Sequence, residues 1–277
     1  MGGVLLPHPS RRGRFSWASS LTMGPSGIRS HAPTSGLQDQ CFHPQRGPPL
    51  ESEKFTKCRK LPAVWLAHGD LTNSPGHPSF APKTGFGPFA VQAFIVDICH
   101  RSVVRVVLEK IGGQYQGAVF PFIRPLKSAS YSTAFDSEGN LWVGSVGRGW
   151  TAGDPAIEVI YFEPGAVPFE IQRMELTYSG FDVVLTQPMD ARGILPRDIP
   201  VTESQYNYWD GYGSELIHEK SVPVEEVTVS ADRTVLSLRL QRKAEFIYQV
   251  QLPVLTSHSG LPLENIYGTH TLNRLLR

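Results

Sequence analysis

From Leu61 to the C-terminus the chain consists of short apolar runs separated by glycine, proline, asparagine and aspartate, and long helical patterns are scarce. That rhythm narrows the fold more than any single motif, because strand-length apolar runs punctuated by turn residues predict antiparallel β structure. Charged residues form 18% of the chain while glycine and proline number 26 and 23, a balance that suits turn-rich sheets better than helical bundles. The expected fold class is all-β.

Four runs form a first expected sheet: PAVWL, FAVQAFIVDI, SVVRVVLE and YQGAVFPF, with Gly112 and Gly113 as the hairpin turn before the last. A second set runs from YSTAFDSEGNLWVGSV to AIEVIYF at 156–162, with Ser137–Asn140 as a turn, and reads as a sheet lacking one strand. Alternation puts Leu141 and Val143 on one face and Trp142 and Gly144 on the other. Serial antiparallel units of this kind have the texture of β-propeller blades. Beyond residue 166 the pattern restarts. Phe181, Val183 and Leu185 share a face, as do Leu236, Leu238 and Leu240 after a turn at Ala231–Arg233, and FIYQVQL alternates through Tyr248, Val250 and Leu252. Residues 167–277 read as a small β-sandwich.

Residues 1–58 are crowded with Pro, Gly, Ser and Arg, and Asp39 is the sole acid before Glu51. Such a segment cannot bury enough apolar surface to offset its ordering entropy, so it is expected to be a disordered leader. Its composition has the Arg- and Ser-rich bias of a transit peptide without an amphipathic helix, and no secretory signal is legible. No run reaches the length of a membrane helix, so no transmembrane segment is expected. The net charge of +1 gives no reason to expect nucleic-acid binding. Cys41, Cys58 and Cys99 define neither a disulfide framework nor a zinc site.

The blocks LPAVWLAHGDLTNSPG, GPFAVQAFIVDICH, VVLEKIGGQYQGAVFPF and DSEGNLWVGSVGRGW, in that order, resemble the last two blades of bacterial PQQ-dependent sugar dehydrogenase-like propellers, the glucose/sorbosone dehydrogenase group. VPFEIQRMELTYSGFDVVLTQPMD, YGSE, VTVSADRTVLSLRL and THTLNR resemble the Ig-like sandwich that trails them. The resemblance implies partial propeller blades over 59–166 and an Ig-like β-sandwich over 167–277. It also implies a periplasmic or secreted setting and a sugar or aldehyde substrate, oxidised by hydride transfer to PQQ beside Ca²⁺. The region of that family with the catalytic histidine lies upstream of these blades, so no catalytic residue is assigned. PQQ and Ca²⁺ are expected not to bind this portion alone, and no complete metal site is expected from Asp70, Asp97, Asp136 and Glu138.

Candidate cofactor-contact residues are those at expected strand ends. His68, Gly69, Asp70, Asn73 and Ser74 lie in the HGDLTNSPGHP loop, although these residue types are also ordinary turn formers. Asp97 and His100 follow an apolar run, with Arg101 and Ser102 standing where the resembling proteins have glycines. Arg148, between two glycines, offers a planar fork to an anion. A competing expectation is a secreted carbohydrate-binding or adhesion module that stacks sugars on Tyr206, Tyr208 and Trp209; another is a truncated reading frame with no function of its own. GFGPFA fits a dinucleotide fingerprint only in spelling, since Pro88 and the lack of a following helix remove its basis.

Overall fold

The computed structural model describes residues 61–147, 154–163, 165–190, 193–206 and 216–276, together with the backbone of a strand at 16–18. Among the described residues the structure is all-β apart from one short 3₁₀ turn at Pro196–Asp198, and the strands form three antiparallel sheets, none closed. No helix among the described residues is long and apolar enough to cross a membrane.

The first half begins with a meander: β2 (Pro75–Phe80), β3 (Ala93–Asp97), β4 (Ser102–Ile111) and β5 (Gln114–Ile123). The β4–β5 hairpin turns at Gly112 and Gly113, whose φ angles of 54° and 84° lie in the left-handed region that a two-residue hairpin requires. PAVWL, expected as a strand of this sheet, is not one. Its apolar side chains lie across the sheet instead, with Val64, Leu66, Ala67 and Leu71 packed on Ala93, Val104, Val106 and Val119. The fourth place goes to β2, which carries Pro75 and Pro78; its position at the sheet edge is where missing N–H donors are tolerated.

β6 (Ala129–Phe135), β7 (Leu141–Val146) and β8 (Ala156–Tyr161) form the second sheet. Its fourth strand is β1 (Ser16–Ala18), which pairs with β8 from Ser16↔Tyr161 to Ala18↔Val159. The strand that the sequence left missing thus comes from the expected disordered leader; the rest of that leader lies outside the described residues. Between β6 and β7, Asp136 Oδ1 accepts from Glu138 N and Asn140 N at 2.9 Å, and Oδ2 accepts from Trp142 Nε1 at 2.8 Å. These donors, Trp142 foremost, hold the Asp136 carboxyl down to about 2. Gly139 at φ 86° packs on the backbone of Gly85, where a Cβ would lie 2.9 Å from the Gly85 carbonyl carbon. This close backbone approach joins the turn to the loop between β2 and β3.

Phe94, Val96, Val103 and Phe122 of the meander face Leu141, Val143 and Ile160 of the second sheet across one core. Phe86 and Phe89, from the loop before β3, complete it, with Phe86 edge-on to Phe94, Phe135 and Phe162 at 5.0 Å. Edge-to-face geometry of this kind adds about 0.5–1.5 kcal/mol per pair beyond area burial.

The remaining strands are β9 (Ile171–Leu176), β10 (Gly180–Leu185), β11 (Val201–Tyr206), β12 (Leu216–Ser221), β13 (Val224–Val229), β14 (Val235–Leu240), β15 (Phe246–Gln251) and β16 (Tyr267–Leu272). They assemble as β13-β14-β10-β9 and as β12-β11-β15-β16. The expected face of Phe181, Val183, Leu185, Leu236, Leu238, Leu240, Tyr248, Val250 and Leu252 is buried throughout, in a core shared by the two sheets. β16 also pairs with β5, Thr269↔Val119 through Thr271↔Gly117, so one eight-stranded sheet takes strands from both sides of residue 166.

Candidate functional site

The HGDLTNSPG loop closes on itself. Leu71 and Thr72 donate their N–H groups to Ala67 O at 2.9 and 3.1 Å, and Gly69 donates to Thr72 O at 2.7 Å with φ at 80°. Asp97, at the end of β3 and fully buried, clamps the far side of this loop. Its Oδ2 accepts from Asn73 N at 2.7 Å and Ser74 N at 2.6 Å, while Oδ1 accepts from His100 N at 2.6 Å. The structure thus brings Asn73, Ser74, Asp97 and His100 together, with the carboxylate holding backbone. His100 Nδ1 lies 3.9 Å from Asp97 Oδ1, beyond hydrogen-bond reach. His68, Gly69 and Asp70 form the exposed side of the loop, and Arg148 lies outside the described residues.

On that exposed side a cleft of about 110 Å³ opens between the loop and the ends of β4 and β5, lined by Asp70, Ser102, Phe122, Arg124, Glu264 and Tyr267 among others. The Tyr267 hydroxyl donates to Asp70 Oδ1 at 3.4 Å. Burial, reinforced by the Asp70 carboxylate, pushes Tyr267 up to about 12; Tyr206 is also raised to about 12 by burial, with Asp70 adding to it. Both phenols therefore stay protonated near neutral pH. Ser102, 4% exposed, has an Oγ without a hydrogen-bond partner among the described residues.

Glu264 N donates to Phe169 O at 3.0 Å, which places the outer wall of the cleft near the seam where β4 and β5 meet β9. There Arg105 and Glu170 are both fully buried. Arg105 donates to Gln92 Oε1 at 2.6 Å, to Gln172 O at 2.7 Å and to Ile171 O, and its guanidinium lies over the rings of Phe89 and Phe120 at 4.2 and 4.8 Å. The Glu170 carboxyl is 3.8 Å from Arg105 Nη2, and among the described residues neither of its oxygens meets hydrogen-bond geometry, although the Asn265 and Glu264 side chains lie near enough to act on it. Burial pushes Glu170 up to about 8 against the pull of Arg105, and Glu264 raises it further; burial also lowers Arg105 to about 10.

The described residues offer little to a calcium ion. A hard cation needs six to eight oxygen ligands, and both oxygens of Asp97 are committed to backbone N–H groups. Among the described residues no group of three or more His, Cys, Asp or Glu side chains is placed to hold a metal ion. Of the expected sugar-stacking aromatics, Tyr206 packs against Trp65 with ring centroids 4.8 Å apart, while Tyr208 and Trp209 lie outside the described residues.

Sequence reasoning found Asp70 but missed Arg124, Glu264 and Tyr267, and noted Ser102 only as a departure from glycine. Tyr267 is 197 positions from Asp70 and reaches it only because β16 lies beside β5. Nothing local in the sequence marks that pairing. The buried Arg105 was legible in principle, as a lone charge inside the apolar run SVVRVVLE. No protein-family model matches the chain, and no curated protein or solved structure does.

Proposed function

We propose that this chain is a portion of a sugar dehydrogenase-like propeller with a trailing Ig-like sandwich, and that it does not oxidise sugars by itself. The observation that carries this reading is the stacking of two successive antiparallel units. β2–β5 and the β6–β8 sheet meet face to face through Phe94, Phe122, Leu141 and Val143, in the chain order of the quoted blocks. The facing sheets of residues 171–272 support the sandwich part of it.

Catalytic silence follows from the parts. Hydride transfer to a quinone needs a base, a bound cofactor and a polarising cation at one locus. Among the described residues, the buried Asp97 at the strand ends is spent on fixing Asn73 and Ser74, and the sheets stay open with no enclosed axis around which further groups converge.

The test is an assay of the purified chain with PQQ, Ca²⁺, an aldose and a dye acceptor. No reduction above the protein-free rate is expected, and robust turnover by this chain alone overturns the proposal. Genomic sequence immediately upstream supplies the second arm: further blades in frame support the reading, and an unrelated upstream sequence overturns it.

A further inference from the structure

We propose that the cleft between the 67–74 loop and the ends of β4 and β5 binds a small α-amino acid as its zwitterion, held by Asp70, Ser102 and Arg124. This goes beyond the propeller reading and does not rest on it.

Three observations point to a ligand with both charges. Arg124 is exposed at the cleft and makes no ion pair among the described residues, so its guanidinium fork is open to a carboxylate. Asp70 lines the same cleft and engages one oxygen with Tyr267 through a long 3.4 Å contact, leaving the other for an ammonium group. Ser102 Oγ is buried in the wall without a partner, an arrangement that is unfavourable until something supplies a hydrogen bond. Ser102 is fixed there by its register opposite Asp97, whose own hydrogen bonds fix the loop carrying Asp70.

Other ligand classes leave a wall unmatched. A simple anion would face the carboxylates of Asp70 and Glu264, and a simple cation would face Arg124. A neutral polyol would make no charge-paired contact with either Arg124 or Asp70. The cleft, near 110 Å³ and open to solvent, admits a molecule of glycine or alanine size.

Isothermal titration of the full chain tests this with L-alanine and glycine, using ethylamine, propionate and glycerol as half-ligand and neutral controls. L-alanine is expected to bind at least about tenfold more tightly than each control, because each charged hydrogen-bonding arm contributes on that scale. Arg124→Gln and Asp70→Asn are each expected to weaken L-alanine about tenfold or more. Both positions are exposed, so far-UV circular dichroism and the unfolding midpoint should match the parent chain and exclude misfolding. No heat with either amino acid overturns the proposal, as does equal binding of propionate or glycerol. Full affinity in Arg124→Gln overturns it too, and so does a crystal structure at high L-alanine concentration with only ordered water on Ser102 Oγ.

Discussion

Glu170, just before β9, and Glu203, in β11, are both buried carboxyl groups, at 0% and 2% exposure, yet their surroundings drive them in opposite directions. Glu170 has Arg105 at 3.8 Å and, among the described residues, no oxygen in hydrogen-bond geometry, and burial pushes it up to about 8. At Glu203 burial pushes the same way but is outweighed. Lys243 Nζ donates to Oε1 at 2.9 Å, Lys220 Nζ lies 3.3 Å away, and the Tyr248 hydroxyl donates to Oε2 at 3.1 Å, which together hold the group below its ordinary value. Glu170 lies deeper in the protein than Glu203 and is met by fewer donors, and the two differences act in the same direction. The two sites also differ in their cations: Arg105 is fully buried, whereas Lys220 and Lys243 keep more than half of their side chains in water.

The largest expected effect comes from breaking the buried side of this comparison. Arg105→Ala removes hydrogen bonds to Gln92, Ile171 and Gln172 and two ring contacts at the seam where β4 and β5 meet β9. A loss of about 3–5 kcal/mol is expected, read as a fall in the urea midpoint at unchanged slope. Arg105→Met combined with Glu170→Met should recover most of it, since an apolar pair of similar volume suits a site so poorly supplied with donors. A double variant as unstable as Arg105→Ala would mean that the polar contacts, not the filled volume, hold the junction.

Next in size is the pH dependence, where the two carboxyls oppose each other. Glu170 is raised from 4.5 to about 8, so below about 4.5 it is protonated in both folded and unfolded chains. As pH rises through 4.5 toward 8 the unfolded chain ionises while the folded one resists, and that contribution to stability is lost. Glu203 is depressed, so its contribution is present above 4.5 and is lost as pH falls through its folded value. Glu170→Gln should therefore flatten the decline between pH 5 and 8, measured by urea midpoints across that range, and Glu203→Gln should flatten the decline on the acid side. A Glu170→Gln profile parallel to the parent's would refute the assignment.

The contrast also explains how much of the molecule was legible in sequence. Local alternation identified β7, β10, β14 and β15 and the buried faces of Leu141, Val143, Leu236 and Leu238, because a strand's period writes its own face. It missed β2, where prolines at an edge look like loop, and misassigned PAVWL, whose apolar residues cover a sheet instead of joining it. The loop from His68 to Ser74 was visible as turn chemistry. Its partners Tyr267 and Glu264 were not, since they arrive through the long-range β5–β16 pairing. Glu170 and Glu203 look alike in sequence for the same reason: the cations that face them, Arg105 at one and Lys220 and Lys243 at the other, come from other strands or loops.

Removing Glu203 itself should cost less than removing Arg105. Glu203→Ala leaves Lys220 and Lys243 free to rehydrate, while the buried Tyr248 hydroxyl keeps Lys243 N as a donor at 2.7 Å but is left with only the long 3.5 Å contact to Lys243 O as an acceptor. The expected loss is about 1–2 kcal/mol, the scale of one buried hydrogen bond left half made. It should appear in thermal unfolding as a modest fall in midpoint.

The smallest effect sharpens the comparison most. Lys220 is 61% exposed at the rim and shares Glu203 with Lys243, whose contact is shorter. Deleting it leaves the carboxylate with Lys243 and Tyr248, so Lys220→Ala should cost no more than about 0.5 kcal/mol. What remains should fade between 0.05 and 1 M NaCl, because the Debye length shrinks from above 10 Å to about 3 Å. Arg105→Ala should keep its full cost over the same salt range, since no ion reaches a guanidinium enclosed by Phe89, Phe120 and backbone carbonyls. Midpoints at the two salt concentrations, taken for both variants beside the parent, decide it: a salt-insensitive Lys220 or a salt-sensitive Arg105 would reverse the distinction between a rim held by solvated charge and a junction held by packing.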